Sequence, residues 1–368
     1  MKFICEGLIL SDAASTVSKA CSTKTVTPAL ECIKISAQND LVTFVAYDGE
    51  ISIEKVFKAE VVEEGETLVN GRFLADFISK ISDKTVSVST SERGMEIKYD
   101  DSRSMMAILP ASDFPRIRKD ETDETITVKE SDFKNLIAKT VFCSATDDSR
   151  PILKGCLLEA KGNELHATAL DGFRMACSYC ETEETSGNMK IVCPARTLTE
   201  IARMLDNEEG LKIYADKNML SVEVKDTVIT SRLYAGEFVR KENIFPIDFT
   251  TRITVKRNEL IDSVERASIL IRGDKNNLLI FDIKNGKIVI NANSDMGKVE
   301  ETVPAELDGK ELKIAMNGKY LLDAIKALDE ENILLSFNSS VSPFTLENVE
   351  DKRCQYLVLP VRTSTQTN

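Results

Sequence analysis

The chain has 368 residues, of which 42% are hydrophobic and 29% are charged, and its formal net charge is -13 at pH 7. This length exceeds what one hydrophobic core supports, so two or three domains are expected, and the composition excludes fibrous and disordered chains. The acidic balance disfavours indiscriminate binding of polyanions, but it leaves room for local basic patches.

The chain begins MKFICEGLIL, an apolar run that Glu6 and Gly7 interrupt. This pattern fits neither a secretory signal nor a membrane span. The nine cysteines are scattered, and their one close pair is Cys177 and Cys180. We therefore predict free, mostly buried thiols in a cytoplasmic protein.

A strand followed by an amphipathic helix is predicted at three places. The helix N-caps would be Ser11, Ser131 and Asn258. Behind each cap the same spacing carries two apolar residues and then a basic one. The matching residues are Ala13, Phe133 and Leu260, then Val17, Ile137 and Val264, then Lys19, Lys139 and Arg266.

A second helical phrase also occurs three times, as LVNGRFLADFISKIS from 68, VCPARTLTEIARML from 192 and AMNGKYLLDAIKAL from 315. Each copy has a turn between its two helices, at Asp48-Gly49, at Asp171-Gly172 and, more loosely, at 294–297. The sequence thus predicts three α+β repeats, each with two helices and many short strands. We expect the repeats at 1–122, 126–248 and 252–363, with a flexible tail at 364–368.

One face of the second helix is predicted to be basic. With Leu74 placed on the buried face, Phe77, Ile78 and Ile81 fall beside it, and Arg72 and Ser79 fall opposite. The positions that match Arg72 and Ser79 in the other copies are Arg196, Lys319, Arg203 and Lys326. Five of these six positions are basic in an acidic chain, which favours a polyanion that faces all three repeats, such as duplex DNA. An ordinary solvated helix face is the alternative.

The chain closely resembles the bacterial DNA polymerase III beta subunit family, the replicative sliding clamps. The resemblance spans 1–363 and is most specific in ATALDGFRMA at 167, RMLD at 203, LPASDFP at 109 and QYLVLPVR at 355. It implies three clamp domains, each with two helices on antiparallel sheets, and a head-to-tail dimeric ring. The ring would encircle duplex DNA without sequence specificity and would tether the polymerase.

If the protein forms a ring around DNA, the spacing of packed helices indicates that the ring needs a second protomer. Six helices spaced roughly 9–10 Å apart enclose too small a circle for a duplex, whereas twelve leave a hole of roughly 26 Å. The resemblance also places Lys24 at a DNA-contacting position. The predicted DNA-binding residues are Lys24, Arg72, Arg196, Arg203, Lys319 and Lys326, together with Lys19, Lys139 and Arg266.

The resemblance further implies a cleft between the second and third domains that binds a short peptide rich in Gln, Leu and Phe. The polymerase alpha subunit, the clamp loader, other polymerases and repair proteins would dock there. The deep part would comprise Leu153, Leu170, Gly172, Phe173, Arg174, Met175, Val239, Ile244, Leu357 and Leu359. The shallower part would comprise Arg150, Asn317, Tyr320, Pro343, Val361 and Arg362.

For ring closure, the resemblance pairs SILIRG of the third domain with SRSMMAIL of the first domain of another protomer. The apolar centre would comprise Met106, Ile269 and Leu270, with Arg103 against Glu300 and Glu301 at the rim.

No catalytic motif, metal-ligand pattern or cofactor loop is found in the sequence. His166 lies in a strand-like run, so a structural role is expected. A thiol enzyme that uses Cys177 and Cys180 remains an alternative, although residues three apart in a strand lie on opposite faces. A protein scaffold that never meets DNA is a second alternative. Without the resemblance, ordinary strand core is the favoured interpretation of Met175, Leu357 and Leu359.

Overall fold

The computed structural model describes residues 1–117, 124–205, 210–240, 244–271 and 277–362. Six α-helices lie in these ranges. They are α1 (Gly7–Val17), α2 (Gly71–Ile78), α3 (Glu130–Ala138), α4 (Ala195–Met204), α5 (Arg257–Leu270) and α6 (Gly318–Ala327). No helix in the described ranges is long and apolar enough to cross a membrane.

The strands are short and many, as the sequence predicts. The first third contains β1 (Lys2–Glu6), β2 (Cys32–Gln38), β3 (Leu41–Tyr47), β4 (Ile51–Lys58), β5 (Glu60–Glu63), β6 (Gly65–Asn70), β7 (Thr85–Ser91), β8 (Gly94–Tyr99), β9 (Ser102–Met106) and β10 (Ile108–Leu109). The middle third contains β11 (Glu124–Lys129), β12 (Gly155–Lys161), β13 (Glu164–Leu170), β14 (Arg174–Glu181), β15 (Glu184–Ser186), β16 (Lys190–Pro194), β17 (Gly210–Ala215), β18 (Met219–Val224) and β19 (Thr227–Arg232). The last third contains β20 (Thr251–Lys256), β21 (Leu278–Lys284), β22 (Lys287–Ser294), β23 (Gly297–Gly309), β24 (Leu312–Asn317), β25 (Asn332–Phe337), β26 (Phe344–Asn348) and β27 (Cys354–Val358).

The chain divides into two compact units. The first comprises 1–128, 184–187 and 203–233. It contains a five-stranded sheet in the order β5-β1-β7-β8-β9 and a ten-stranded sheet in the order β10-β6-β2-β3-β4-β19-β18-β17-β11-β15. Helices α1 and α2 pack against each other in this unit, and the alternating buried residues of β2 and β3 form its core.

The second unit comprises the described residues within 129–183, 188–202 and 234–368. Its twelve strands follow the order β16-β12-β13-β14-β27-β26-β25-β20-β23-β22-β21-β24. Helix α5 packs on α6 and on β22 and β23. An α+β fold with helices on antiparallel sheets is confirmed.

The N-cap predictions for the first helix of each repeat are wrong. Helix α1 begins at Gly7, α3 at Glu130 and α5 at Arg257. Each helix follows its strand without an intervening loop, so Ser11 lies inside α1 and Asn258 inside α5, and Ser131 lies inside α3. The apolar spacing itself is confirmed, because the six predicted apolar residues behind these caps are buried.

Backbone packing explains why α1 starts early. The N–H of Gly7 donates to the carbonyl oxygen of Lys84 at 2.7 Å. A side chain at Gly7 would place its Cβ 2.6 Å from the carbonyl oxygen of Ile81. The first N–H of α1 is therefore satisfied by neighbouring backbone, and no side chain caps the helix.

The second helices of the first and third repeats have side-chain caps that the sequence analysis missed. Asn70 accepts a hydrogen bond from the N–H of Phe73 at 3.0 Å, and Asn317 accepts from Lys319 and Tyr320. Gly follows each Asn because a Cβ at Gly71 would collide with Sγ of Cys21, and one at Gly318 would meet Leu279. The repeated Asn-Gly before an apolar run was the available signal. Ile81 is buried as predicted, but it lies beyond the end of α2.

Candidate functional site

An apolar cluster lies on the sheet of the second unit, and it contains most of the predicted deep cleft. Leu153, Leu170, Met175 and Leu357 are buried in it. Ile244 and Leu359 pack against it while they remain partly exposed. These side chains meet because β13 leads through a tight turn into β14, and β14 pairs with β27 so that Met175 lies opposite Leu357.

The turn between β13 and β14 is held by Asp171. Its Oδ1 accepts hydrogen bonds from the N–H groups of Phe173 and Arg174 at 2.9 and 3.0 Å. Gly172 has a φ of 91°, a conformation that glycine adopts without strain. This turn leaves Phe173 at the surface, 58% exposed.

Arg174 is a buried anchor rather than an exposed contact. Its Nε donates to Asp171 at 3.0 Å, its Nη1 donates to Asp323 at 2.6 Å, and its Nη2 donates to the carbonyl oxygen of Phe142 at 3.0 Å. Burial disfavours the charged form, but the two carboxylates outweigh it and raise the pKa of Arg174. The guanidinium carbon also lies 4.5 Å from the centre of the Tyr320 ring.

Tyr320 and Phe173 form the aromatic edge of the cluster. Their rings are 6.1 Å apart and nearly parallel, at 24°. Burial, with the neighbouring Asp171 carboxylate, raises the pKa of Tyr320, so its hydroxyl stays neutral at physiological pH. The backbone N–H of Leu359 donates to the carbonyl oxygen of Phe173 at 2.9 Å, which ties the last strand to this edge.

The predicted shallow residues surround the cluster with polar groups. Arg150 and Arg362 are exposed, whereas Pro343, Val361 and Asn317 are half-buried. The N–H of Val361 donates to the carbonyl oxygen of Ala315 at 2.8 Å, and Asn317 caps α6. The tail from 363 onward lies outside the described residues.

Several members of the cluster were not predicted. Leu157, Cys177, Val192 and Phe238 are buried in it. Phe238 is 9% exposed, whereas its predicted neighbour Val239 is 36% exposed, so Phe238 supplies the apolar anchor. A signal was present, since Phe238 matches Phe114 at the repeat spacing of 124 residues.

All the basic positions predicted on the second helices are exposed. Arg72 lies on α2, Arg196 and Arg203 on α4, and Lys319 and Lys326 on α6. Lys24, in the segment after α1, and Lys19, in a short 3-10 turn, are exposed as well. Lys326 is paired with Glu265 of α5 at 2.6 Å, so its charge is partly neutralised.

Two of the basic residues that close the first helices are engaged by carboxylates. Lys139 is 8% exposed, and its Nζ lies 2.8 Å from Asp329. Arg266 donates from Nε and Nη2 to Glu301, at 3.0 and 2.6 Å, and these bonds lower the pKa of Glu301. Lys139 and Arg266 occupy matching positions of two repeats, but their environments differ because Lys139 is buried and Arg266 is exposed.

Comparison with known proteins relates the whole chain to one group. Models of the N-terminal, central and C-terminal domains of the DNA polymerase III beta subunit match residues 1–118, 127–239 and 242–362. The Beta sliding clamp of Staphylococcus epidermidis is 30% identical over 357 residues, which is 94% of this chain and 95% of the relative. The chain belongs to the DNA polymerase III beta subunit family.

Solved structures of sliding clamps have the same fold. The DNA polymerase sliding clamp from Bacillus subtilis aligns with a TM-score of 0.94 at 31% identity, covering 99% of both chains. The DNA polymerase III beta chain from Streptococcus pneumoniae aligns with a TM-score of 0.93 at 28% identity, covering 98% of this chain and all of the other. As a beta sliding clamp, the protein confers processivity on DNA polymerase III and is a non-catalytic subunit.

The thiols and the histidine of this protein occupy structural positions. All nine cysteines are free and buried, which confirms the sequence prediction, and burial raises the pKa of Cys180 to about 12. Such thiols are poor nucleophiles at neutral pH. His166 lies 2.8 Å from Glu164 and stacks on Tyr179. No cluster of metal-ligating side chains is found in the described ranges.

The residues predicted for ring closure lie on two edge strands and at the end of a helix. Arg103 and Met106 belong to β9, Glu300 and Glu301 belong to β23, and Ile269 and Leu270 are the last two residues of α5. Strand β9, with Arg103, ends the five-stranded sheet, and the segment 297–304 of β23 pairs with β22 on one side only within the described residues. Ile269 is 63% exposed, and Glu300 is exposed. Leu270 is half-buried, and Glu301 is held by Arg266.

Met106 differs from the prediction, because it is 3% exposed and packs inside its own unit. Met105 is 51% exposed. Successive residues of a strand face opposite sides, so burial of one methionine places the other outward.

Proposed function

We propose that two copies of this chain close head to tail into a ring around duplex DNA. Each chain would contribute three clamp domains, at 1–122, 126–248 and 252–363. One observation supports the binding of DNA inside the ring. Exposed basic residues occupy matching positions of α2, α4 and α6, although the chain as a whole is acidic. Contacts to phosphates alone carry no sequence information, so the ring slides.

The DNA-facing set that we propose is narrower than the set predicted from sequence. It comprises Lys24, Lys19, Arg72, Arg196, Arg203 and Lys319, with a smaller contribution from Lys326 because of Glu265. Lys139 is left out because its ammonium is buried against Asp329. Arg266 also contributes little, because Glu301 takes two of its hydrogen bonds.

The contact between protomers would join β9 of one copy to the edge of β23 in another. Within the described residues, both edges have backbone groups that pair with no further strand, and antiparallel pairing would satisfy them. Met105, rather than Met106, would meet Ile269 and Leu270 in the apolar centre. Arg103 would face Glu300, since Glu301 is already bound by Arg266. Such charge pairs set register more than affinity.

Introducing negative charges into the apolar centre tests this contact. The double variant Met105→Glu with Ile269→Glu should sediment as a monomer at concentrations where the unchanged protein is a dimer. The control is Val26→Glu, at a valine that is fully exposed and lies outside both edges. A dimer that survives the double change would place the contact elsewhere.

The apolar cleft would hold a short peptide of partner proteins, among them the polymerase alpha subunit, the clamp loader and other polymerases and repair proteins. Buried Leu153, Met175 and Leu357 form its floor, and Phe173 stands exposed at its edge. Apolar pockets with a few polar groups at the rim suit Leu and Phe anchors and an extended backbone.

Two exposed phenylalanines give a matched test of this cleft. Phe173→Ala should weaken binding of a labelled Gln-Leu-Phe peptide about tenfold, because it removes an aromatic wall. Phe73→Ala, at a residue of α2 that is 56% exposed against 58% for Phe173, should leave binding unchanged. Equal effects of the two changes would argue against this site.

A further inference from the structure

A second pocket repeats the architecture of the cleft within the first unit. The turn at Asp48 matches the turn at Asp171, because Oδ1 of Asp48 accepts from the N–H groups of Glu50 and Ile51 at 3.0 Å each. Ser52 of β4 lies opposite Thr230 of β19, as Met175 lies opposite Leu357.

Two backbone bonds confirm that the two places are equivalent. The N–H of Arg232 donates to the carbonyl oxygen of Glu50 at 3.0 Å, as the N–H of Leu359 does to Phe173. The short turn Pro28–Glu31 corresponds to Pro151–Lys154 at a spacing of 123 residues. The chain thus builds the same cradle twice, from different side chains.

The second cradle is polar where the cleft is apolar. Tyr47, Ser52, Thr230 and Arg232 stand where the cleft has Leu170, Met175, Leu357 and Leu359. These four residues, with Arg116, line a cavity of about 520 Å³. Ile117, Met219 and Leu233 also line it, so an apolar Leu or Phe anchor would meet a mixed surface rather than the apolar one of the cleft.

Two hydroxyl groups that reach solvent line this cavity. Ser52 is 4% exposed and Thr230 is 6% exposed, and neither hydroxyl oxygen is among the fully enclosed, unpaired side-chain atoms of the described residues. Both hydroxyls are therefore available as hydrogen-bond donors to a ligand in the cavity.

Two cations lie beside these hydroxyls. The side chains of Arg116 and Arg232 are exposed, and neither guanidinium has a carboxylate within 4.0 Å among the described residues. Guanidinium groups match carboxylates in shape as well as charge.

We propose that this pocket binds an acidic peptide segment, with one carboxylate on the Ser52 and Thr230 hydroxyls and others on Arg116 and Arg232. An extended peptide is the ligand because the backbone cradle is the one that holds a peptide in the cleft, and in this respect the inference rests on the proposed function. The peptide is expected to be acidic because hydroxyl and guanidinium donors line the pocket. Their attraction would overcome the repulsion between an acidic peptide and a chain of net charge -13.

The test uses the full-length protein and a fluorescein-labelled, capped Asp-Leu-Asp-Leu-Asp peptide, with Asn-Leu-Asn-Leu-Asn as the neutral probe. Fluorescence anisotropy should show the acidic peptide bound at least tenfold more tightly than the neutral one. The double variant Arg116→Gln with Arg232→Gln should lose about tenfold in affinity. Ser52→Ala with Thr230→Val should also weaken binding, while the arginines stay in place.

Arg240→Gln is the matched control. Arg240 follows Arg116 by 124 residues and lines a different cavity in the second unit. Its loss should leave binding of the acidic peptide unchanged. Equal binding of the neutral peptide, or an equal loss with Arg240→Gln, would overturn the inference.

Two further arms separate this pocket from other sites. If Phe173→Ala abolishes binding of the acidic peptide, the peptide occupies the cleft and the inference fails, although the proposed function stands. If Phe173→Ala leaves both the acidic and the Gln-Leu-Phe peptides bound, the proposed cleft fails alone. If inorganic phosphate displaces the acidic peptide but acetate does not, the pocket is a phosphate site. That result would overturn the proposal that it binds an acidic peptide.

Discussion

At the scale of single residues, the cleft is organised by one buried arginine. Arg174 binds two carboxylates and a backbone carbonyl, and it lies beneath the ring of Tyr320. The shape of the cleft thus depends on Arg174, even if a bound peptide does not contact this residue. Arg174 is only 9% exposed because these partners surround it, and the sequence motif does not reveal this burial.

Arg174→Gln should lower the free energy of unfolding by about 3 kcal/mol, because two carboxylates lose a buried partner. Guanidinium unfolding followed by circular dichroism measures this change. The control is Arg353→Gln, whose arginine pairs with Asp351 but is 57% exposed, and it should cost about 1 kcal/mol or less. Equal costs would mean that burial does not decide the effect.

Side-chain identities in the cleft were predictable only in part. Resemblance placed Leu153, Leu170 and Leu357 correctly in one cluster, because the motif around the Asp-Gly turn is specific. It did not place Phe238 there, and it chose Met106 over Met105. Both misses concern which of two adjacent residues faces the core, which one strand-like sequence without its partners does not determine.

At the scale of elements, apolar spacing predicted the helices but not where they start. A favourable cap residue is a local signal, and at α1 it is overridden by the contact of Gly7 with the backbone of Lys84. The caps that operate, Asn70 and Asn317, belong to the second helices.

Alanine substitutions distinguish the two kinds of position. Asn70→Ala should destabilise the protein by about 1 kcal/mol through loss of the bond to the N–H of Phe73. Ser11→Ala should change stability by about 0.5 kcal/mol or less, because Ser11 caps nothing. Thermal unfolding of both variants gives the comparison, and a larger loss for Ser11→Ala would restore the predicted cap.

The basic helix faces are testable as one set. Replacing Arg72, Arg196, Arg203, Lys319 and Lys326 by Ala should lower the slope of log DNA affinity against log salt concentration. The expected reduction is roughly 3 to 4 for each protomer, at about 0.9 per phosphate contact. Lys326 should contribute least, because of its pair with Glu265. Anisotropy of a labelled duplex across a salt series measures the slope.

The control for this set removes five exposed lysines from strands and turns. These are Lys2, Lys58, Lys212, Lys217 and Lys313. Their loss changes the net charge by the same amount but should leave the slope nearly unchanged. Similar slopes for the two sets would mean that the helix faces do not meet the duplex.

At the scale of the whole molecule, the three repeats were visible in the sequence, but the continuity of their sheets was not. In the first unit β4 pairs with β19 of the next repeat, and in the second unit β14 pairs with β27. The division between the units runs through the central repeat. Periodicity reports which residues face a core, whereas pairing between repeats depends on edge strands that meet only in the folded chain.

The central claim is that a closed ring, rather than affinity, holds the protein on DNA. Retention on circular and on linear duplexes tests it most directly, with a clamp loader and ATP supplied and the half-life measured after gel filtration. The protein should stay on closed circles and be lost rapidly from linear DNA of the same length and sequence. Equal half-lives on the two substrates would contradict encirclement.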